Sequence, residues 1–152
     1  MIATSKALIG YTLAVGTIFI GQTTLDLVIP ASRWMEVYSV KISDGVVGLL
    51  PAMDVERVIH RPFYGEWTAE TERLEEDGTF ELVCQAEGKS NYSPDNSLPS
   101  NLELNWWTAP TRCELPEGKY RTETVWRIFP TGIAPRTVRV VSNVFEIRKA
   151  KL

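Results

Sequence analysis

Apolar and polar residues alternate in short runs along most of the chain after residue 33. A period of two is typical of strands with one buried face, and no helical stripe of useful length follows residue 33. Turn residues separate the runs at intervals of about 8–12 residues, which is typical of a β-sandwich or a barrel. The predicted strands are 34–42, 55–59, 66–74, 79–87, 102–108, 120–128 and 137–147.

The clearest local prediction is a hairpin. The run 66–74 and the run 79–87 flank Glu75-Glu76-Asp77-Gly78, and Gly accepts a positive φ without a Cβ clash. The stretch 88–101, which is rich in Ser, Asn, Pro and Gly, is predicted to be a loop. In 137–147 the apolar phase changes near Ser142-Asn143, which indicates a bulge.

The aromatic residues give the candidate contact surface. Trp34, Trp67 and Trp126 fall on apolar-phase positions and are predicted to be core residues. Trp106 and Trp107 are neighbours in a predicted strand, so they cannot both face inward. One of them is either exposed or covered by the loop 88–101. With Tyr92 they are the candidate partner-binding residues, because an exposed indole can anchor a protein or stack on a sugar.

The N-terminal residues form an apolar segment. Residues 7–21 carry no charge, and residues 2–25 contain only Lys6. Three interpretations stay open: an uncleaved membrane anchor, a cleaved signal peptide, and a buried helix. We expect the first, with an anchor and juxtamembrane segment at 1–31 and a β-sandwich domain at 32–152. Lys6 on the cytoplasmic side would place that domain on the extracytoplasmic, periplasmic side.

Cys84 and Cys113 are the only two cysteines. In an outward-facing domain an even pair predicts a disulfide, and two separate buried thiols are the alternative. Cys84 is in phase with Phe80, Leu82 and Ala86, which favours a structural cysteine over a reactive one.

Composition and charge exclude several classes of protein. The chain has 152 residues, of which 44% are hydrophobic and 23% charged, so it can fold around a core. A net charge of −3 and a pI near 5.3 leave no basic surface that would indicate nucleic-acid binding.

The segment Leu115-Pro116-Glu117-Gly118-Lys119-Tyr120 resembles the turn that leads into a late strand of immunoglobulin-like and fibronectin type III-like sandwiches. The resemblance implies an all-β fold, an antiparallel sandwich of about seven strands that here follows one N-terminal transmembrane helix. It also implies that Tyr120 packs as a corner, with its hydroxyl bonded back to the chain. The antibody-type disulfide is not implied, since Cys113 precedes Tyr120.

Candidate catalytic and metal-binding residues are few. His60 is the only histidine, and it is expected at a surface or a strand edge. The carboxylates between Glu66 and Glu81 fit the solvated face of a hairpin, although paired acids also occur in glycosidases. Asp95 and Asn96 fit a turn better than a calcium loop. No cofactor, metal or catalytic residue is predicted.

These features favour a membrane-anchored, non-catalytic module that mediates protein interaction or self-assembly at a cell envelope or surface. An extracytoplasmic carbohydrate-binding module is the first alternative, with a platform made by Trp107 and Tyr92. A phage-encoded virion or envelope protein is the second, and a hydrolase built on His60 or the glutamates is the third.

Overall fold

The computed structural model describes residues 29–98, 102–108 and 113–150. This part of the chain is built mainly of strands, which confirms the all-β prediction. A 3-10 turn (Ala31–Arg33) precedes the first strand, and one short helix, α1 (Asn105–Thr108), follows β6. The strands are β1 (Met35–Ile42), β2 (Gly45–Val46), β3 (Ala52–Ile59), β4 (Phe63–Leu74), β5 (Phe80–Tyr92), β6 (Leu102–Glu103), β7 (Gly118–Phe129), β8 (Arg136–Val141) and β9 (Phe145–Arg148).

The strands form two sheets. The smaller has the order β1-β3-β6, and the larger has the order β2-β9-β7-β4-β5, with β8 paired to β7 beside β9. All pairs are antiparallel except β2 and β9, which run parallel. Buried side chains of both sheets meet in one core, among them Val40, Ile42, Met53, Ala69, Tyr120, Phe145 and Ile147.

The predicted anchor, residues 2–25, lies outside the described residues. Within residues 29–98, 102–108 and 113–150, no helix has both the length and the apolarity needed to cross a membrane.

The predicted hairpin is confirmed as β4 and β5. Gly78 has a φ of 84°, and Asp77 Oδ1 accepts hydrogen bonds from the Thr79 amide and hydroxyl at 2.9 and 2.6 Å. The predicted loop begins later than expected, because 88–92 continue β5 and pair with Phe63–Trp67. An edge strand with one face toward water accommodates polar residues, so cross-strand pairing outweighs their loop preference.

Two predicted strands are divided. The prediction for 102–108 is wrong after Glu103, because the chain turns into α1. The run 137–147 breaks at 142–144 into β8 and β9, which occupy successive stretches of the same edge of β7. At this break the Ser142 amide donates to Thr122 O, and the Thr122 amide donates to Ser142 Oγ, both at 2.9 Å. The phase change therefore marks a break between two strands, where the Ser142 side chain bonds to β7. The break is wider than the predicted bulge.

Asn143, in the gap between β8 and β9, joins the two sheets. Its Oδ1 accepts from the Ile42 amide at 2.8 Å, and its Nδ2 donates to the Ile42 carbonyl at 2.9 Å. Both backbone groups at the end of β1 are thereby satisfied by a side chain of the opposite sheet.

Strand β1 also changes phase. Its register with β3 shifts between Val37 and Ser39, so Tyr38 is 58% exposed while Val40 and Ile42 are buried. The simple alternation from Trp34 to Ile42 therefore does not hold, although Trp34 itself is buried as predicted.

The inner face of β7 confirms the alternation in 120–128. All five of its predicted inward residues are buried: Tyr120, Thr122, Thr124, Trp126 and Ile128. The Tyr120 hydroxyl donates to the Pro116 carbonyl at 2.8 Å, which is the backward hydrogen bond that the resemblance implied. Thr122 Oγ1 lies 3.0 Å from Thr71 Oγ1.

Cys84 and Cys113 form the predicted disulfide, with their Cα atoms 5.7 Å apart. Cys84 lies on the inner face of the edge strand β5, and Cys113 follows α1 after four intervening residues. The bond joins two residues whose sequence separation is 29 and so closes a covalent loop in the chain.

We expect Thr124→Val to raise the free energy of unfolding by about 1 kcal/mol. Among the described residues, Thr124 Oγ1 is the one buried side-chain polar atom without a hydrogen-bond partner, and an unsatisfied buried hydroxyl destabilises the fold. The matched variant Thr122→Val should lower it instead, because Thr71 then loses its partner. Chemical denaturation would measure both, and a stability loss in Thr124→Val would contradict the prediction.

We expect the double variant Cys84→Ala, Cys113→Ala to lose about 3–4 kcal/mol of unfolding free energy, since the cross-link restricts a loop of this length in the unfolded chain. The wild-type protein should lose a similar amount in reductant, and the double variant should be insensitive to it. Wild-type stability that stays constant after both thiols are titrated would contradict this expectation.

Candidate functional site

The strands run between two ends of the molecule. We define the distal end by the loops 43–51, 75–79 and 114–117, and the proximal end by the loops 60–62, 93–98 and 130–135. Strand β1 runs from the proximal end to the distal end. Side chains from far apart in sequence meet at each end.

The loop 43–51 presents apolar side chains at the distal end. Val47, Leu49 and Leu50 are 44%, 71% and 38% exposed. The loop is fixed by its backbone, since the Val47 amide donates to Arg148 O and the Leu49 amide to Val46 O, both at 2.9 Å. Gly48, with a φ of 85°, supplies the left-handed residue of this tight turn.

Trp106 lies at the same end. The Leu104 amide donates to the Pro51 carbonyl at 3.1 Å, which ties the chain between β6 and α1 to the loop 43–51. Trp106 follows two residues later on α1 and is 42% exposed. We call Val47, Leu49, Leu50 and Trp106 the apolar tip. The side chain of Trp107 is outside the described part of the structure.

Tyr92 is placed elsewhere. It ends β5 opposite Phe63, at the proximal end. Its ring stacks on Phe63 with centroids 5.2 Å apart and meets the Trp126 ring edge-on at 5.3 Å. The structure therefore does not bring Tyr92 and Trp106 together. The sugar platform of Tyr92 with Trp107 stays a prediction.

Arg57 is the member of this aromatic cluster that sequence reasoning missed. Its guanidinium carbon lies 5.6 Å from the ring centroids of both Tyr92 and Trp126, and burial lowers the pKa of Arg57. The signal that could have found Arg57 is the alternation along β3, which places it on the same inner face as Val55 and Ile59.

The predicted acidic face of the hairpin carries cross-strand pairs. Glu70 Oε1 accepts from Gln85 Nε2 at 3.1 Å, and Glu72 Oε2 accepts from Arg121 Nε at 2.7 Å. Glu123, directly opposite Glu70, is buried and accepts from Arg139 Nη2 at 2.6 Å. These carboxylates are thus held by partners on neighbouring strands.

A cavity of about 580 Å³ lies over β4, β5 and β7. Its charged side chains are Glu66, Glu87, Lys89 and Arg127, two of each sign. This balance gives no electrostatic selection for an anion or a cation.

His60 is exposed at the proximal end, and its Nε2 lies 3.2 Å from Glu36 Oε2. Glu36 also accepts from the Tyr38 hydroxyl, and the hydrogen bonds from Tyr38 and His60 lower the pKa of its carboxyl. His60 is not part of the cavity lining, so the cavity and the histidine do not form one site.

The segment with Asp95 and Asn96 forms a turn, as predicted. The Asn96 amide donates to Ser93 O at 3.0 Å, and its side chain accepts from the Ser93 hydroxyl at 3.2 Å. Within the described ranges, no three His, Cys, Asp or Glu side chains cluster so as to hold a metal ion.

Comparison with protein-family models, with curated protein sequences and with solved structures finds no match for this chain. The function is therefore argued from its own residues.

Gly88→Ala should disturb the aromatic cluster. Trp67 belongs to this cluster, because its ring centroid lies 6.3 Å from that of Trp126. A Cβ at Gly88 would lie 2.5 Å from Cζ2 of the Trp67 ring, so the indole must move, at a cost of about 1–3 kcal/mol. Gly118→Ala is the control, because its nearest neighbour, at 3.1 Å, is the flexible Arg73 side chain. Near-ultraviolet circular dichroism and denaturation should both change more in Gly88→Ala, and equal effects would refute the close approach.

Proposed function

We propose that the chain is a non-catalytic interaction module that binds a protein partner through its apolar tip. The observation that carries this proposal is the exposure of Leu49 (71%) on a loop whose backbone is fixed by hydrogen bonds. Exposed apolar side chains grouped on an ordered surface typically mark a protein interface. Trp106 adds an indole, a residue type enriched in interface hot spots.

The charges around the tip favour a cationic partner surface. The three distal loops hold six carboxylates and no lysine or arginine: Asp44, Glu75, Glu76, Asp77, Glu114 and Glu117. Asp44 is paired with Arg148, Glu117 with Lys149 and Glu75 with Arg73, so the other three remain to set the local potential. Hydrogen bonds from Thr79 lower the pKa of Asp77 below its usual range. The partner therefore presents an apolar pocket with basic residues at its rim.

We also propose that the fold is an immunoglobulin-like sandwich. The two sheets and the Tyr120–Pro116 hydrogen bond support an immunoglobulin-like sandwich. The parallel pairing of β2 with β9 is the main departure from an antiparallel arrangement.

The setting that we propose is extracytoplasmic. The apolar residues 2–25 anchor the chain in a membrane, and the Cys84–Cys113 disulfide fits an oxidising compartment such as the periplasm.

Leu49→Ser and Trp106→Ala should each weaken partner binding at least tenfold, or about 1.4 kcal/mol. The partner is first identified by co-purification of the full chain from native membranes in mild detergent. Its affinity for each purified variant is then measured directly. Higher salt should weaken binding further, since the rim contacts are ionic.

Val58→Thr is the matched control, because Val58 is 40% exposed on the outer face of β3, away from the tip. Partner affinity that is unchanged in both tip variants, or that falls equally in Val58→Thr, would overturn the proposal. Retention on a glycan that is lost in Trp107→Ala would favour the carbohydrate-binding alternative instead.

A further inference from the structure

Arg57 is a cation held between the two sheets. It lies on the inner face of β3, in register with Val37 of β1, and it faces the aromatic cluster of β5 and β7. Its guanidinium carbon and the ring centroids of Tyr92 and Trp126 form a nearly equilateral triangle with sides of 5.6, 5.6 and 5.3 Å. The cation–π contacts compensate part of the desolvation that lowers its pKa.

No carboxylate neutralises this cation within the described residues. The ion pairs found there involve Arg73, Arg121, Arg139, Arg148, Lys149 and His60, and none involves Arg57. The sequence outside the described ranges holds one further acidic side chain, Asp26, besides the terminal carboxylate. A partly buried charge without a counter-ion is uncommon in folded proteins.

The nitrogen atoms of Arg57 can be reached from solvent. Among the described residues, no hydrogen bond joins the Arg57 side chain to another protein group. Thr124 Oγ1 is the one fully buried side-chain polar atom there without a partner, so the guanidinium nitrogens are not sealed from water. The guanidinium therefore has N–H donors available beside two aromatic rings. A planar carboxylate matches the geometry of that donor fork.

We propose that Arg57 is an anion-binding residue that receives the carboxylate of a ligand at the proximal end of the inter-sheet space. The flanking rings of Tyr92 and Trp126 provide an apolar wall for the rest of the ligand. Exposed Arg61 and half-buried Arg136 lie at the same end and add positive potential that draws an anion toward it. This site is separate from the apolar tip and does not depend on the function proposed for it.

Two sources share this chemistry: a free carboxylic acid, and an Asp or Glu side chain of a peptide. Sodium benzoate and a short acidic peptide would each be titrated into the full chain in detergent micelles at constant ionic strength, with sodium chloride as the blank. The readout is the NMR signal of the Arg57 Nε–H and of the Trp126 indole N–H. We expect saturable shifts in both signals with benzoate, and tighter binding by the peptide only if the natural ligand is a protein side chain.

Arg57→Met should weaken the benzoate response at least tenfold. Arg57→Lys, which keeps the charge but loses the fork, should weaken it about fivefold and serves if Arg57→Met does not fold. Lys41→Met is the control, because it removes an exposed cation near the distal end of β1, away from the proposed site, and should leave affinity within about twofold.

Several results would overturn the assignment. One is a response indistinguishable from sodium chloride, and another is equal affinity in Arg57→Met and wild type. Saturation by inorganic phosphate without saturation by benzoate would reject the carboxylate.

Discussion

One side chain, Asn143, sets how the two sheets face each other. Its amide satisfies both backbone groups of Ile42 from the opposite sheet, where the chain leaves the edge of β7 between β8 and β9. Since Ile42 is the last residue of β1, the same contact fixes where the following loop begins. The position of Leu49 and its neighbours therefore depends on a polar contact at the distal end of β1.

The two ends differ in charge because of where the strand connections fall. The distal loops contain only acidic charged residues, whereas the proximal loops hold Arg61 and His60 against Asp95, with Arg136 and Arg33 beside them. The core between the two ends is largely apolar but includes a row of buried threonines on β4 and β7. Thr71 and Thr122 form a hydrogen bond with each other there. This pairing shows how β-branched polar residues can occupy an inner face without loss of the sheet.

Much of the fold could be read from alternation and turn chemistry. The β4–β5 hairpin was predictable because Asp77-Gly78 defines a local turn, and the inner face of β7 because five positions keep one phase. The phase shift at Tyr38 and the extension of β5 through Gly88 could not be read locally, because both depend on a partner strand distant in sequence. The candidate site was harder to predict than the fold. Trp106 was a candidate because of its residue type, but it lies on a short helix where the sequence pattern predicted a strand. Arg57 was hidden because a charged residue on an inner face is understood only once its aromatic neighbours are known.

The disulfide makes one closed ring of the chain between Cys84 and Cys113, and Trp106 lies within that ring. Helix α1 has only four residues, too few to hold its own place once its hydrogen bonds open. The covalent bond limits how far the indole can then travel from β5. A protease that cuts the polypeptide anywhere between residues 84 and 113 would leave the two fragments joined, and they would separate on a gel only after reduction.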